Sequence, residues 1–375
     1  MLSAIQDIAM RGLVSEEAGL YSYRKENLVD RTIIEQIATQ LNLGTLVAVP
    51  RSLTGGFLHK MYSLHTTKGR YAVKLLNPHI MKRETAPANY RCAEELEQKL
   101  EEQGLPILPA LSFGGRKMQE INGQFFYLYD WYDGKALKSS EVTADHCTKI
   151  GRILAAIHGI ERRPAEDMGI ERRPEEDMSR EQRPEENVDT EPGIDWDFYI
   201  DQMAAANLEL HSLLFQTRPI LYECVRKGNQ AVKRLPAVET ICHNDMDCKN
   251  VLWNRNECRV IDLECLSWSN PYVELYETAL CWSGYETNAI DFHRLKQFMD
   301  SYSEAGGKLP ADWEVVYDSN VGRLGWLEYN LKRVLGIDCG ADEKEMGISQ
   351  VRSSIAQIMY YHDAKEDILH CLNEA

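Results

Sequence analysis

Residues 241–264 constrain the chain more than any other stretch. They read ICHNDMDCKNVLW, then NRNECR, then VIDLE. Short apolar runs, Val251 to Trp253 and Val260 to Ile261, alternate with clusters of acid and amide. That alternation spells short strands joined by polar loops rather than a helix. The first loop carries His243, Asp245 and Asn250 in the pattern H-x-D-x4-N, and the second carries Asp262-Leu263-Glu264. Two acids and an amide therefore fall on adjacent hairpin loops.

The flanking sequence divides in two. Before it, residues 1–45 read as helix, with Ile33, Ile34, Ile37, Ala38 and Leu41 on one face of Val29 to Leu43. Strand signals follow at Val47 to Leu53, Met61 to Leu64, Arg70 to Leu76, Phe113 to Gly115 and Gln124 to Trp131. One amphipathic helix, Ala88 to Gln103, interrupts them and stops at Gly104. From Asp145 the pattern turns helical, with Ile150, Ile153, Leu154 and Ile157 at helical spacing. Helices return over 195–235 and over most of 271–375, with breaks at Gly306-Gly307, Pro310 and Gly340. An antiparallel sheet with one inserted helix thus precedes a mainly helical remainder.

Residues 160–189 repeat with period ten: IERRPAEDMG, IERRPEEDMS, REQRPEENVD. Pro164, Pro174 and Pro184 forbid one continuous helix, and the apolar content is too low for a core. The repeat reads as a charged insertion between helices. Its removal, residues 161–189, is expected to leave turnover and melting nearly unchanged, which activity and thermal unfolding of the deletion variant check.

Charge narrows the partners. The chain of 375 residues has net charge −16. Residues 1–159 carry 19 basic and 17 acidic residues, residues 160–189 carry 6 and 11, and residues 193–375 carry 17 and 29. This acidity argues against a phosphate-backbone binder, so no nucleic-acid partner is expected. The 10 cysteines form no C-x-x-C pair, the first ten residues lack the plan of a signal peptide, and no run of about 18 apolar residues occurs. A reduced, cytoplasmic chain without a membrane partner is the expectation.

Two acids and an amide on neighbouring loops are what Mg-assisted phosphoryl transfer needs. Asp245 suits the attacking hydroxyl and its proton. Asn250 and Asp262 supply the oxygens that Mg2+ prefers, and His243 braces the loop. The stretch resembles the catalytic and metal-binding loops of protein-kinase-like small-molecule kinases. It is nearest to the aminoglycoside phosphotransferase and choline/ethanolamine kinase family. Protein kinases instead use H-R-D and D-F-G.

The resemblance implies an α+β, bilobal protein-kinase-like fold. Residues 1–130 would be the nucleotide-binding lobe, with the leading helix, an antiparallel sheet and one key helix. Residues 131–375 would be the larger, mainly helical catalytic and substrate lobe, holding the 160–189 insert. Tyr71-Ala72-Val73-Lys74 matches the V-A-I-K strand, making Lys74 the phosphate-binding lysine, with Glu94, or else Glu95, as its helix partner. Gly55 and Gly56 lie where a phosphate-covering loop belongs, although two adjacent glycines alone read as a hairpin turn. Tyr129 and Trp131 fall at the adenine-contacting hinge.

Gly151 to His158 matches a family helix beneath the catalytic loop, and His158 reads as structural. Glu264 would support the site through hydrogen bonds, or else bind a second metal or a substrate amine. Glu274, Trp282, Tyr285, Trp326 and Glu328 are acceptor-site candidates, because aromatics and carboxylates hold ammonium groups. Helical spacing explains each of them as core at least as well.

The implied activity is phosphorylation, with ATP and Mg2+, of a hydroxyl on a small, amine-bearing acceptor. ATP against GTP is left open, and so is oligomeric state. The competing reading is a kinase fold kept as a binding or structural protein, as in spore-coat relatives. Its mark would be a lost catalytic residue, and Lys74, Asp245, Asn250 and Asp262 are all present.

Overall fold

The computed structural model describes residues 31–53, 59–161, 193–337 and 343–374. Gly55, Gly56, the start of the leading helix and nearly all of the period-ten repeat lie outside these residues. The described chain falls into two compact units. One takes the residues up to Glu101, Ile107–Gly134 and Asn254–Glu264, and the other takes Glu102–Pro106, Lys135–Trp253 and everything from Cys265 onward.

In the first unit, helix α1 covers residues 31–40. Strands β1 (Arg51–Leu53), β2 (Lys60–Thr66) and β3 (Gly69–Leu75) precede the short helix α2 (Pro78–Met81) and helix α3 (Ala86–Glu102). Strands β4 (Gln119–Ile121) and β5 (Gln124–Asp130) complete an antiparallel sheet of order β1-β2-β3-β5-β4. Period-two alternation sorts the side chains of β3. Val73 and Leu75 join Ile34 and Ile37 of α1, Leu64, Phe126 and Leu128 in one apolar cluster. Lys74 takes the opposite face and pairs in register with Tyr127, which packs with Tyr90 of α3 in a second cluster.

The strand expected at Phe113 to Gly115 is a turn instead. Gly114 and Gly115 adopt φ of +60° and +78°, a left-handed pair that no strand holds, and Phe113 bridges Arg116. The strand forms later, at β4.

The second unit begins with β6 (Lys135–Ala136) and helix α4 (Ala144–His158), followed by α5 (Trp196–Ala206) and α6 (Leu208–Val232). Then come β7 (Thr240–Cys242) and β8 (Val251–Asn254); β9 (Glu257–Val260) groups with the first unit. After β10 (Ser267–Ser269) the chain is helical: α7 (Pro271–Trp282), α8 (Phe292–Glu304), α9 (Trp313–Ser319), α10 (Gly322–Leu335), α11 (Lys344–Asp363) and α12 (Lys365–Asn373).

The apolar stripes of α5, α6, α10 and α11 bury one another through Trp196, Leu214, Leu327 and Ile355. Gly151 of α4 permits close packing against α8. A Cβ there would lie 2.7 Å from Phe298 O. That packing sets His158 at the end of α4, where its Nδ1 meets Tyr302 Oη at 2.8 Å and its Nε2 meets Glu274 Oε2 at 2.7 Å. Among the described residues, no helix is long and apolar enough to cross a membrane.

Candidate active site

In the first unit, Lys74 is the centre of a buried charge cluster. Its Nζ lies 2.5 Å from Asp262 Oδ1 and also pairs with Glu264. The other oxygen of Glu264 sits 2.9 Å from His59 Nε2. His59 Nδ1 accepts from Asn77 N at 2.9 Å, so Nε2 is the nitrogen that donates to Glu264.

Burial alone would lower the pKa of the Lys74 ammonium. Glu264 and Asp262 reverse that and hold it above the ordinary lysine value. Burial would likewise raise Glu264, but Lys74 and His59 hold it at about 2. Asp262 follows β9 with φ of +66°. Aspartate, like asparagine, enters that left-handed region more readily than most residues.

Glu94 does not meet Lys74. Its carboxylate accepts from Tyr127 Oη at 2.9 Å and from Met118 N at 2.8 Å. Glu95 is exposed. The lysine's acidic partners come from Asp262 and Glu264 instead. Tyr129 rings pack 6.4 Å from Tyr127, and burial followed by the charge of Glu264 pushes the Tyr129 hydroxyl's pKa far up. Trp131 lies under the Arg70 guanidinium at 4.6 Å and donates to Asp133 at 2.7 Å.

In the second unit, the loop after β7 is built around its polar side chains. Asn244 adopts φ of +63°, which asparagine tolerates better than most residues. Its amide nitrogen donates to the carbonyls of Cys242 and Cys265 and to Ser267, while its oxygen accepts from Ser269. Its backbone N–H donates to Glu274 Oε1 at 2.6 Å. His243 is fully buried and accepts the Asp245 N–H at 3.3 Å. Asn250 Nδ2 donates to Asp245 twice, to its backbone oxygen and to Oδ2, both at 2.8 Å. The amide atom able to bind a cation is then Oδ1.

Asp247 caps the turn Cys248–Asn250 by accepting from the N–H groups of Lys249 and Asn250. Lys249 Nζ spans the two acids, 3.2 Å from Asp245 Oδ1 and 2.5 Å from Asp247 Oδ2. Asn250 and Asp262 both offer oxygen, the donor chemistry that suits Mg2+.

The acceptor candidates separate. Glu274 is buried between His158 and Asn244, and Trp282 is buried and donates to Met246 O at 2.9 Å. Both hold the loop around Asp245, through Asn244 and Met246. Replacing Glu274 with glutamine should lower Tm and turnover together, read by thermal unfolding and activity, because a buried charged hydrogen-bond pair is broken. Glu328 accepts from Tyr199 Oη at 2.8 Å, and Trp326 stacks on Tyr329 at 5.5 Å. Tyr285 meets the ring of Tyr361 edge-on at 5.8 Å.

Sequence reasoning missed Asp247, Lys249 and Glu277. The first two had a signal, the D-x-D-x-K spacing inside the loop itself. Glu277, on α7, is exposed yet crowded. The surrounding protein, then Glu274 and Asp245, push its carboxyl up to about 7 against the pull of Arg323.

Solved structures of small-molecule kinases share this fold. A spectinomycin phosphotransferase with ADP and spectinomycin has a TM-score of 0.63, 12% identity, and coverage of 86% of this chain and 96% of that one. An amicoumacin kinase with AMP-PNP and Ca2+ gives 0.58, 12%, 89% and 95%. An ethanolamine kinase of Plasmodium vivax gives 0.50, 12%, 81% and 80%. No curated protein matches the chain. The model of the phosphotransferase enzyme family (APH) matches residues 50–317, and the chain belongs to that family.

Proposed function

We propose that the protein uses ATP and Mg2+ to phosphorylate a hydroxyl of a small, amine-bearing molecule. The geometry at Asp245 carries this reading. Its carboxylate and backbone are fixed by the amide of Asn250, on a loop that Glu274 and Trp282 brace. An acid so held can orient an acceptor hydroxyl and take its proton.

Lys74 binds the α- and β-phosphates, and its pairing with Asp262 and Glu264 keeps it charged for that role. Glu264 and His59 orient the lysine. Asn250, through Oδ1, and Asp262, through its carboxylate, supply ligands for Mg2+, whose chemistry is to neutralise charge on the phosphates. Tyr129 and Trp131 are the proposed nucleotide-base contacts. Transfer is in line, without a covalent enzyme intermediate, so positioning and charge supply the catalysis.

The surplus of acid in the second unit favours a cationic acceptor. Asp245 and Glu277 influence each other electrostatically, and Glu286 is exposed on the turn after α7. Replacing Glu277 with glutamine should raise KM for an amine-bearing acceptor about tenfold or more, with kcat little changed, because one charged hydrogen bond is lost. The decisive assay measures ADP release with Mg-ATP over aminoglycosides, choline, ethanolamine, amino-alcohols and sugars. The expected result is one class of acceptor that stimulates turnover. Turnover no higher than that of the Asp245→Asn variant with every acceptor would sink the proposal.

A further inference from the structure

Beside Asp245, side chains that are neither the proposed proton acceptor nor the proposed Mg2+ ligands converge. Ligand atoms of Asp247, Cys281 and Glu286 lie within 4.8 Å of one another. The Cys248 thiol adjoins the Cys281 thiol and, together with burial, pushes its pKa up. One sulfur and two carboxylates therefore meet in one place, with the second sulfur beside Cys281; they are drawn from the turn Cys248–Asn250 with its cap, from α7, and from the turn after it.

Each element has a reason to hold its donor there. Asp247 is fixed as a cap, Cys248 is buried, and Glu286 accepts from Ser139 Oγ at 3.1 Å through one of its two oxygens. Cys281 precedes Trp282, whose indole is tied to Met246 O.

We propose that Asp247, Cys248, Cys281 and Glu286 form a binding site for a thiophilic divalent cation such as Zn2+. The donor set decides the class. Mg2+ and Ca2+ take oxygen alone, whereas mixed sulfur and carboxylate ligands select zinc and its chemical neighbours. Three nearby acids, Asp245, Asp247 and Glu286, favour a cation, and Lys249 on Asp247 opposes it. The site is thus separate in ligand chemistry from the Mg2+ ligands Asn250 and Asp262. The thiol protons pass to solvent as the ion binds.

The test uses the full-length chain, reduced and stripped of metal, titrated with Co2+ as a spectroscopic probe. A sulfur-to-cobalt charge-transfer band should saturate at one ion per chain and be bleached by Zn2+. Cys281→Ser and Cys248→Ser should each remove about half the band. Glu286→Gln, on an exposed side chain, should weaken Co2+ binding about tenfold or more, in the range seen for groups that tune metal sites. Cys92→Ser, in the other unit, should change nothing. Absence of the band, or a band that survives both serine substitutions, would overturn the proposal. If the serine variants do not fold, an unchanged affinity in Glu286→Gln overturns it by itself. Metal binding is read without any phosphoryl acceptor, so it stands or fails separately from the proposed activity.

Discussion

Replacing Asp245 with asparagine is expected to lower kcat about 10²- to 10⁴-fold, the usual worth of a positioned general base. The substitution is nearly isosteric. An asparagine oxygen can still accept from Asn250 Nδ2, and the second bond, to the backbone oxygen of residue 245, is untouched. The pair with Lys249 is weakened, but both side chains are substantially exposed, at 41% and 38%. Such a pair contributes little to stability. Melting should therefore stay close to that of the parent while the proton acceptor is lost. Steady-state ADP release and thermal unfolding, measured on the same preparations, separate the two effects. A variant that keeps most of its turnover would remove Asp245 from the chemistry. A variant that loses its fold as well would assign Asp245 a structural role.

Residues close in sequence were legible, and partners brought together across the chain were not. The loop around Asp245 was readable because its roles are packed into ten residues and need a short polar loop between apolar strands. Lys74 stood out as a candidate because Tyr71-Ala72-Val73-Lys74 matches a strand motif of the resembled family. Its partners were a different matter. Glu264 lies 190 residues away, and no local pattern links the two.

Glu94 fits helical spacing for a partner, yet Tyr127, the cross-strand neighbour of Lys74, takes its carboxylate. The same limit governs the aromatics of the late helices. Period-3.6 spacing placed Trp282 on a face, but only packing shows that the face is turned to Met246. Glu277 stood one turn beyond Glu274 and looked like any exposed helix acid. Its distinction lies in the charges brought around it by folding. The misplaced strand at Phe113 had a local cause. Two glycines in the left-handed region turn the chain after an aromatic residue that otherwise favours a sheet.

Lys74→Met should carry the largest combined cost, weakening nucleotide binding and removing about 3–5 kcal/mol of stability at neutral pH. That is the usual penalty for breaking a buried ion pair from one side. The methionine fills similar space but leaves Glu264, whose side chain is 11% exposed, without its main cation. In the parent, Glu264 titrates at about 2 against an ordinary value of 4.5. A carboxylate depressed on folding gives stability that is complete above its unfolded pKa and fades as pH falls through the folded value. The parent's contribution from Glu264 therefore fades between about pH 4.5 and pH 2.

Without Lys74, burial governs, and the Glu264 pKa moves upward. The sign then reverses: the variant is penalised most at neutral pH, where Glu264 must ionise, and its deficit narrows as acid protonates it. Lys74→Met with Glu264→Gln should recover more than half of the single variant's loss, because no unpaired charge remains on residue 264. Urea unfolding of both variants at neutral and mildly acidic pH reads this directly. A deficit that is the same at both pH values, or that the second substitution fails to relieve, would show that Lys74 acts on stability through packing rather than through its charge on Glu264.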